Sequence, residues 1–451
     1  MTGYQVSDVA ALVCGCLHGS GEAEVTGIVI DSRRAQRGSL FAALPGERAD
    51  GHDFIGKAFD LGASCALANR VPEGETRPVI TVDNVEAALE TLAADYRSRL
   101  EIPVIGVTGS VGKTTAKEIT ASVLSARWPV LKTEKNFNNQ LGVPLTLARI
   151  EPNHRAAVIE MGISHFGDME TLAKMVRPSV MLFTNIGRAH LEYLGDREGV
   201  FREKTSVLNW MADDALVVFN GDDDLLRSLD CRQRKLSFGL SADCDVRAEN
   251  VRDYGLAGSE CTIVYGTRRL DVRISAYGAH MVYAALEGAA IGFAFGLTDE
   301  EILKGIADYV PVDGRAGIVQ TGMLTVVNDC YNANPDSTAS ALRSLGRSQG
   351  ARKVAILGDM GELGSDGPRL HYDTGRVAAE SGADVVLCCG ELARQIAEGA
   401  KAGGVSEVHH YATLAPLLEE VSGILRPGDC VLVKASHSMQ FERVIALLEQ
   451  L

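Results

Sequence analysis

Lys113 closes a glycine-rich run, Gly109-Ser110-Val111-Gly112-Lys113-Thr114-Thr115, that follows the apolar stretch Pro103 to Val107. A helix-compatible run from Ala116 to Ala126 comes next. Strand, glycine loop and helix, in that order, make a phosphate-binding loop. Glycine lets successive backbone N–H groups face one concavity, and the helix N-terminus adds the positive end of its dipole. In that frame Lys113 reaches terminal phosphates and Thr114 offers a hydroxyl to a magnesium ion. The strict pattern asks for glycine five positions before Gly112, where this chain has Val107. That difference separates subfamilies of such loops. An ordinary strand-turn-helix corner does not call for Gly-Lys-Thr, so nucleotide binding is the expectation.

Three further residues could share that site. Glu160 ends the apolar stretch Ala156-Ala157-Val158-Ile159 and precedes Met161-Gly162. A carboxylate there can meet the loop magnesium directly or through water. His190, in Thr184-Asn185-Ile186-Gly187-Arg188-Ala189-His190, also follows a strand end, so a metal or phosphate role stands level with an ordinary polar one. Lys204, in Val200-Phe201-Arg202-Glu203-Lys204, reads from pattern alone as a solvated helix lysine. Late in the chain, Asn328-Asp329-Cys330-Tyr331-Asn332-Ala333-Asn334-Pro335 follows another apolar strand. Its short polar side chains suit ribose hydroxyls or phosphate, and equally suit a turn. Gly358-Asp359-Met360-Gly361-Glu362-Leu363-Gly364 is a similar loop, too loose for a dinucleotide fingerprint.

The elements that must position these groups fall into three segments. Up to Asp83, strands at Val25–Ile30, Ser39–Leu44 and Cys65–Ala68 with a helix at Phe54–Leu61 make a small α/β unit. A helix at Glu86–Leu100 leads into the loop strand. The second segment alternates strands (Ala156–Glu160, Val180–Thr184, Leu216–Asn220) with helices, which implies a parallel sheet. Ligands of such sheets bind beyond the carboxyl ends of the strands, so Gly109, Glu160 and Asn185 should converge on one crevice. A hairpin at Cys261–Tyr265 and Leu270–Ile274 and a helix from Ala279 to Phe295 follow. The third segment starts near Asp313-Gly314-Arg315, and its strands at Leu324–Asn328, Val354–Leu357, Val385–Cys388 and Cys430–Val433 make a second open α/β sheet. The expected domains are 1–83, 84–313 and 314–451.

Composition agrees with that division. A chain of 451 residues holds about three domains of ~150 residues. It is 46% hydrophobic and 23% charged, as in soluble globular proteins. A net charge of -15 argues against nucleic acid or an anionic membrane as partner. The 10 cysteines include no C-x-x-C pair, and Cys14/Cys16 and Cys388/Cys389 read as buried free thiols of a reducing compartment. The first ten residues lack a signal-peptide pattern and no apolar run reaches ~20 residues, so a cytoplasmic protein without an integral membrane segment is expected.

Taken together, the motifs resemble the Mur ligase superfamily over nearly the whole chain. The resemblance lies in Asp31-Ser32-Arg33, Leu40-Phe41-Ala42-Ala43-Leu44-Pro45-Gly46-Glu47-Arg48, the loop from Val107 to Thr115, Asn136-Phe137-Asn138-Asn139-Gln140-Leu141-Gly142, Ile159-Glu160-Met161-Gly162, Ala189-His190-Leu191-Glu192 and Val433-Lys434-Ala435-Ser436. The Tyr331-Asn332-Ala333-Asn334-Pro335 and Gly358–Gly364 loops are those of the members that add D-alanyl-D-alanine to UDP-N-acetylmuramoyl-tripeptide. The Asp-Asn-Pro-Arg loop of diaminopimelate-adding members is absent.

The resemblance implies three domains: a small α/β UDP-substrate domain, a central P-loop ATPase domain with a parallel sheet, and a C-terminal Rossmann-like domain. It implies an ATP-dependent amide ligase of peptidoglycan synthesis, acting as a monomer. Lys113, Lys204, His190 and Glu160 would be catalytic. ATP would meet Gly109, Ser110, Val111, Gly112, Lys113, Thr114, Thr115, Arg315 and Asp329. Two magnesium ions would be held by Thr114, Glu160, His190 and Lys204, the lysine as a carbamate, which reverses its reading from pattern. The substrates would meet Ser32, Arg33, Asn138, Asn139, Tyr331, Asn332 and Asn334. Relatives usually carry asparagine at one or both of the positions of Met281 and Ala284, on the adenine side, and arginine at the position of His437.

Overall fold

The structure is a computed structural model and describes residues 1–46, 49–348 and 352–451. Glu47 and Arg48 of the first-segment motif lie outside the described residues.

The first segment forms a five-stranded sheet in the spatial order Cys16–His18, Val79–Thr81, Cys65–Ala68, Ser39–Ala42, Gly27–Val29. Cys65–Ala68 and Ser39–Ala42 are buried at every residue. Cys16–His18 and Val79–Thr81 were not expected from sequence. The helix Val85–Ser98 starts where the Asn84 side chain accepts from Ala87 N at 3.0 Å. It buries Val85, Ala88, Leu89, Leu92, Ala93 and Tyr96, a single apolar stripe. That stripe packs on the second segment, where the Tyr96 hydroxyl donates to Ile150 O at 2.6 Å.

The second segment forms a nine-stranded sheet. From one edge, Val130–Lys132, Ala156–Glu160, Val104–Thr108, Val180–Phe183, Leu216–Asn220, Arg234–Gly239 and Val246–Asp253 run parallel. The expected hairpin, Ser259–Tyr265 with Arg268–Ile274, continues the sheet as an antiparallel edge, so the sheet is mixed. The central strands are almost entirely apolar because helices cover both faces. Val104–Thr108 lies between Ala156–Glu160 and Val180–Phe183, which places the end of the glycine-loop strand at a topological switch point.

The loop helix, Lys113–Ser125, lies under Met281–Ala294 and Asp299–Ala307. Gly305 allows the closest approach, because a Cβ there would fall on the Val123 backbone. Ser122 Oγ donates to Gly305 O at 2.6 Å across the same contact.

The third segment forms a six-stranded sheet: Gly317–Gln320, Thr325–Asn328, Cys430–Lys434, Lys353–Gly358, Val385–Cys389, Glu407–Tyr411. Four strands match expectation. The antiparallel Gly317–Gln320 and the parallel Glu407–Tyr411 are additions at the two edges. This unit docks on the second: Tyr277 Oη donates to Ala341 O at 2.8 Å, and Arg188 N donates to Asp336 Oδ2 at 2.9 Å.

One expectation fails. Cys14 and Cys16 are exposed, although Cys388 and Cys389 are buried. Cys16 lies on an edge strand that pairs only with Val79–Thr81, so nothing covers its outer side. Among the described residues no helix is long and apolar enough to cross a membrane.

Candidate active site

A cleft of about 760 Å³ opens at the carboxyl ends of the central strands. One wall carries the glycine loop and Glu160, and the opposite wall comes from the third segment through Arg315, Asp329, Tyr331, Asn332 and Asn334.

The loop keeps its shape through the end of the neighbouring strand. Ser110 N donates to Asn185 O at 2.9 Å, and Val111 N to Asn185 Oδ1 at 3.0 Å. Val111 O accepts from Thr184 Oγ1 at 2.6 Å and from Asn185 Nδ2 at 3.0 Å. Gly109 has φ +154°, and a Cβ there would fall on Thr184 Oγ1. Lys113 Nζ donates to Gly109 O at 2.8 Å, so the amine bends over the loop. Burial, with Arg315 nearby, lowers the pKa of Lys113, while Glu160 works the other way.

Glu160 is 2% exposed at the end of its strand. Its Oε1 accepts from Thr114 Oγ1 at 3.2 Å and from Asn138 Nδ2 at 2.8 Å. Its Oε2 is buried with no hydrogen-bond partner, and Lys117 Nζ lies 4.0 Å away. Asn139 sits beside Asn138, but its Oδ1 accepts from Gly142 N at 2.9 Å, which ties it to the next helix.

Lys204 is not solvated. It is fully buried on the helix Arg197–Thr205, and its Nζ has no partner. Burial pushes its pKa well down and the nearby charge of Lys113 pushes further, which disfavours the ammonium form. Adjacent Glu203 is already committed, accepting from Gly167 N at 3.1 Å and Met169 N at 2.8 Å. The polar character of this helix hides both burials from sequence. Lys204 does not line the cleft, whereas His190 does. His190 Nδ1 lies 2.5 Å from Glu362 Oε2 of the third segment.

On the opposite wall, the Arg315 guanidinium stands 4.1 Å from the Tyr331 ring centre, and His437 stacks on the same ring at 5.3 Å. Lys434 Nζ donates to Asp329 Oδ2 at 2.6 Å and to Asn332 O at 2.9 Å. Asn334 caps the helix Pro335–Arg347 through Ser337 N at 2.9 Å. Lys434 was not singled out from sequence, though it ends an apolar strand as Glu160 does. His280 and Glu287 also line the cleft unannounced. Burial lowers the pKa of His280 and raises that of Glu287 well above its usual range.

Ser32 and Arg33 stand apart from this cleft, which no described residue before Ser110 lines. Ser32 is buried, and Arg33 is exposed and paired with Asp31 at 2.8 Å, a contact that holds the Asp31 carboxyl down at about 2.

Among the described residues no three His, Cys, Asp or Glu side chains gather as a metal site. A cation at Glu160 would therefore draw on a mixed donor set. The hydroxyl of Thr114 and the unpartnered Glu160 Oε2 border that position. Hard oxygen donors of this kind suit magnesium.

Three models of one family match the chain in succession. Residues 24–97 match the Mur ligase family catalytic domain, 107–292 the Mur ligase middle domain, and 314–437 the Mur ligase glutamate ligase domain. The UDP-N-acetylmuramoyl-tripeptide–D-alanyl-D-alanine ligase of Bacillus subtilis is 35% identical over 98% of this chain and 97% of its own length. The protein of that name from Escherichia coli is 32% identical over 100% of this chain and 99% of its own. A crystal structure of MurF from Acinetobacter baumannii superposes with a TM-score of 0.89 at 30% identity, covering 99% of both chains. The MurF ligase of Thermotoga maritima in complex with ADP gives 0.82 at 27% identity, over 94% of this chain and 97% of that one.

Proposed function

Because the chain belongs to the Mur ligase family, we propose that it joins D-alanyl-D-alanine to UDP-N-acetylmuramoyl-tripeptide, converting ATP to ADP and phosphate, in peptidoglycan synthesis. One observation carries the reading. The cleft that holds the phosphate loop is closed on its far side by Arg315, Asp329 and the Tyr331–Asn334 loop, so a triphosphate and two substrates share one space.

The reaction asks two anions to approach. The terminal carboxylate of the tripeptide attacks the γ-phosphorus of ATP, ADP leaves, and an acyl phosphate forms. The free amine of D-alanyl-D-alanine then adds to the acyl carbon, and the tetrahedral adduct collapses to amide and phosphate. Lys113, held over the loop, neutralises the transferring phosphoryl group. Backbone N–H groups from Gly109 to Thr115 cradle the phosphates. Arg315, kept in place by Tyr331, faces the nucleotide from the other wall together with Asp329. Enclosure between the two walls limits water, which would otherwise hydrolyse the acyl phosphate.

Thr114 and Glu160 would hold one magnesium ion, for which their hydroxyl and carboxylate oxygens are suited, and Glu160, His190 and Lys204 would hold a second. Magnesium bound there supplies positive charge that offsets the repulsion between carboxylate and triphosphate. The buried, unpartnered Lys204 amine, whose charged form burial disfavours, is suited to add to CO2 with loss of one proton. The resulting carbamate is an anionic oxygen donor and would end the isolation of that buried nitrogen.

Residues 1–83 form the UDP-substrate domain in this reading, with Ser32 and Arg33 at the nucleotide, residues 84–313 the ATPase domain and 314–451 the closing domain. Asn138, Asn139, Asn332 and Asn334 lie toward the peptide substrates. The enzyme acts as a cytoplasmic monomer. The test is a coupled assay of phosphate release with UDP-N-acetylmuramoyl-tripeptide, and mass measurement of the product. Release that requires D-alanyl-D-alanine, with a product heavier by that dipeptide less one water, is expected. Release indifferent to the dipeptide overturns the reading.

A further inference from the structure

Two residues in strained backbone meet where the central and C-terminal units touch. His190 has φ 58° and Glu362 has φ 59°, both in the left-handed region that side-chain-bearing residues avoid. His190 follows the strand Val180–Phe183 of the central unit, and Glu362 follows Lys353–Gly358 of the C-terminal unit. Their side chains approach to 2.5 Å through His190 Nδ1 and Glu362 Oε2. Their loops also touch, with Glu192 N donating to Glu362 O at 3.3 Å. The loop that carries Glu362 is itself fixed. Gly361 N donates to Ser436 Oγ at 2.9 Å, and Met360 N donates to His371 Nε2 at 2.9 Å. Glu362 is thus delivered by anchored backbone from another domain.

We propose that Glu362 is a positioning residue for the metal centre: it orients His190 as a ligand only when the C-terminal domain is docked. This rests on the reading of His190 as a metal ligand. A carboxylate on one ring nitrogen keeps the proton there and leaves the lone pair on the other. With Nδ1 engaged, Nε2 is the nitrogen left to ligate, and it has no protein partner among the described residues. His190 lines the same cleft as Glu160 and Lys113. Docking therefore completes the site, and by linkage a bound cation favours docking.

The test titrates Mn2+ into the full chain with ADP, reading free Mn2+ by electron paramagnetic resonance and domain docking by X-ray scattering. Mn2+ is chosen because it accepts imidazole as well as oxygen donors. Glu362→Ala should weaken one Mn2+ by about 10- to 100-fold, the usual effect of removing such a partner, and abolish the compaction that Mn2+ causes. Glu362→Gln, which keeps an acceptor for Nδ1–H, should restore most of both. If His190→Ala weakens Mn2+ binding and Glu362→Ala does not, the inference fails while the metal reading stands. If His190→Ala itself leaves Mn2+ binding intact, the metal reading fails and takes the inference with it.

Discussion

Gly109→Ala separates two physical demands on the phosphate loop. The new Cβ would fall on Thr184 Oγ1 and stand 3.1 Å from Thr184 Cβ and Asn185 N. Overpacking of this kind costs about 1–3 kcal/mol. The backbone, at φ +154°, adds strain of about 1–3 kcal/mol that no neighbour can relieve. Thr184→Ala deletes the obstructing oxygen. On its own it costs about 0.5–1.5 kcal/mol, because Val111 O keeps its bond from Asn185 Nδ2 at 3.0 Å. In the double variant the worst of the steric share, the overlap with Oγ1, disappears, while the tighter contacts at 3.1 Å and the backbone share remain. A strained loop relaxes away from its phosphate-binding shape, so strain is read as lost ADP affinity. The steric share alone corresponds to about 5- to 150-fold in Kd. Calorimetric titration of ADP into parent, both single variants and the double variant closes the cycle. The double variant should bind ADP more tightly than Gly109→Ala alone, despite carrying one more lesion. Losses that simply add would refute the role of the Thr184 contact, and parental affinity in Gly109→Ala would refute the need for glycine.

Burial raises the Glu287 carboxyl well above its ordinary 4.5. The unfolded chain ionises above that value while the fold retains the proton, so this contribution is complete below 4.5 and is lost as pH rises toward the folded value. Glu287→Gln should therefore match the parent in thermal stability at about pH 4 and surpass it increasingly toward about pH 8; a gap that does not change with pH contradicts the assignment. Lys204→Met should raise the melting temperature, because it removes an unpartnered buried amine, and should abolish ligation. A Lys204→Ala enzyme that ligates at the parental rate would exclude the lysine from the site, whereas rescue of that variant by a short carboxylate would support the carbamate. Tyr277→Phe removes the hydroxyl that donates to Ala341 O, a helix carbonyl, between two domains and should cost about 0.5–1.5 kcal/mol in denaturant titration; an unchanged midpoint would show the contact to be idle.

What sequence reveals here follows the range of each signal. The glycine loop and Glu160 declare themselves because each ends an apolar strand, and such ends converge in a parallel sheet. The edge strands Gly317–Gln320 and Glu407–Tyr411 escaped notice because they are short and half-covered, and the second carries His409-His410. Lys204 and Glu203 lie in Arg197–Thr205, a helix of mostly polar residues that reads as a surface helix. They are buried by tertiary contacts, including Glu203 with the backbone of Gly167 and Met169, and no local pattern encodes those. Resemblance to a family singled out Lys204, and the structure supplies the physical reason. Ser32 and Arg33 were singled out by resemblance as well, for the UDP end of the substrate, and they do not line the cleft.

The packing of the loop helix has a consequence for the birth of the protein. Lys113–Ser125 lies beneath Met281–Ala294 and Asp299–Ala307, joined by Ser122 to Gly305. A ribosome making the chain from its N-terminus exposes that helix more than 150 residues before its cover exists (from Ser125 to Met281). At about 5–20 residues per second this interval lasts about 8–30 seconds. During it Ile119 and Val123, which pack on the later helices, lack the partners that bury them. The nascent protein should therefore recruit chaperones in that window and gain nucleotide binding only after residue 307 has cleared the exit tunnel. The stretch that carries the phosphate loop is thus completed long after it is made.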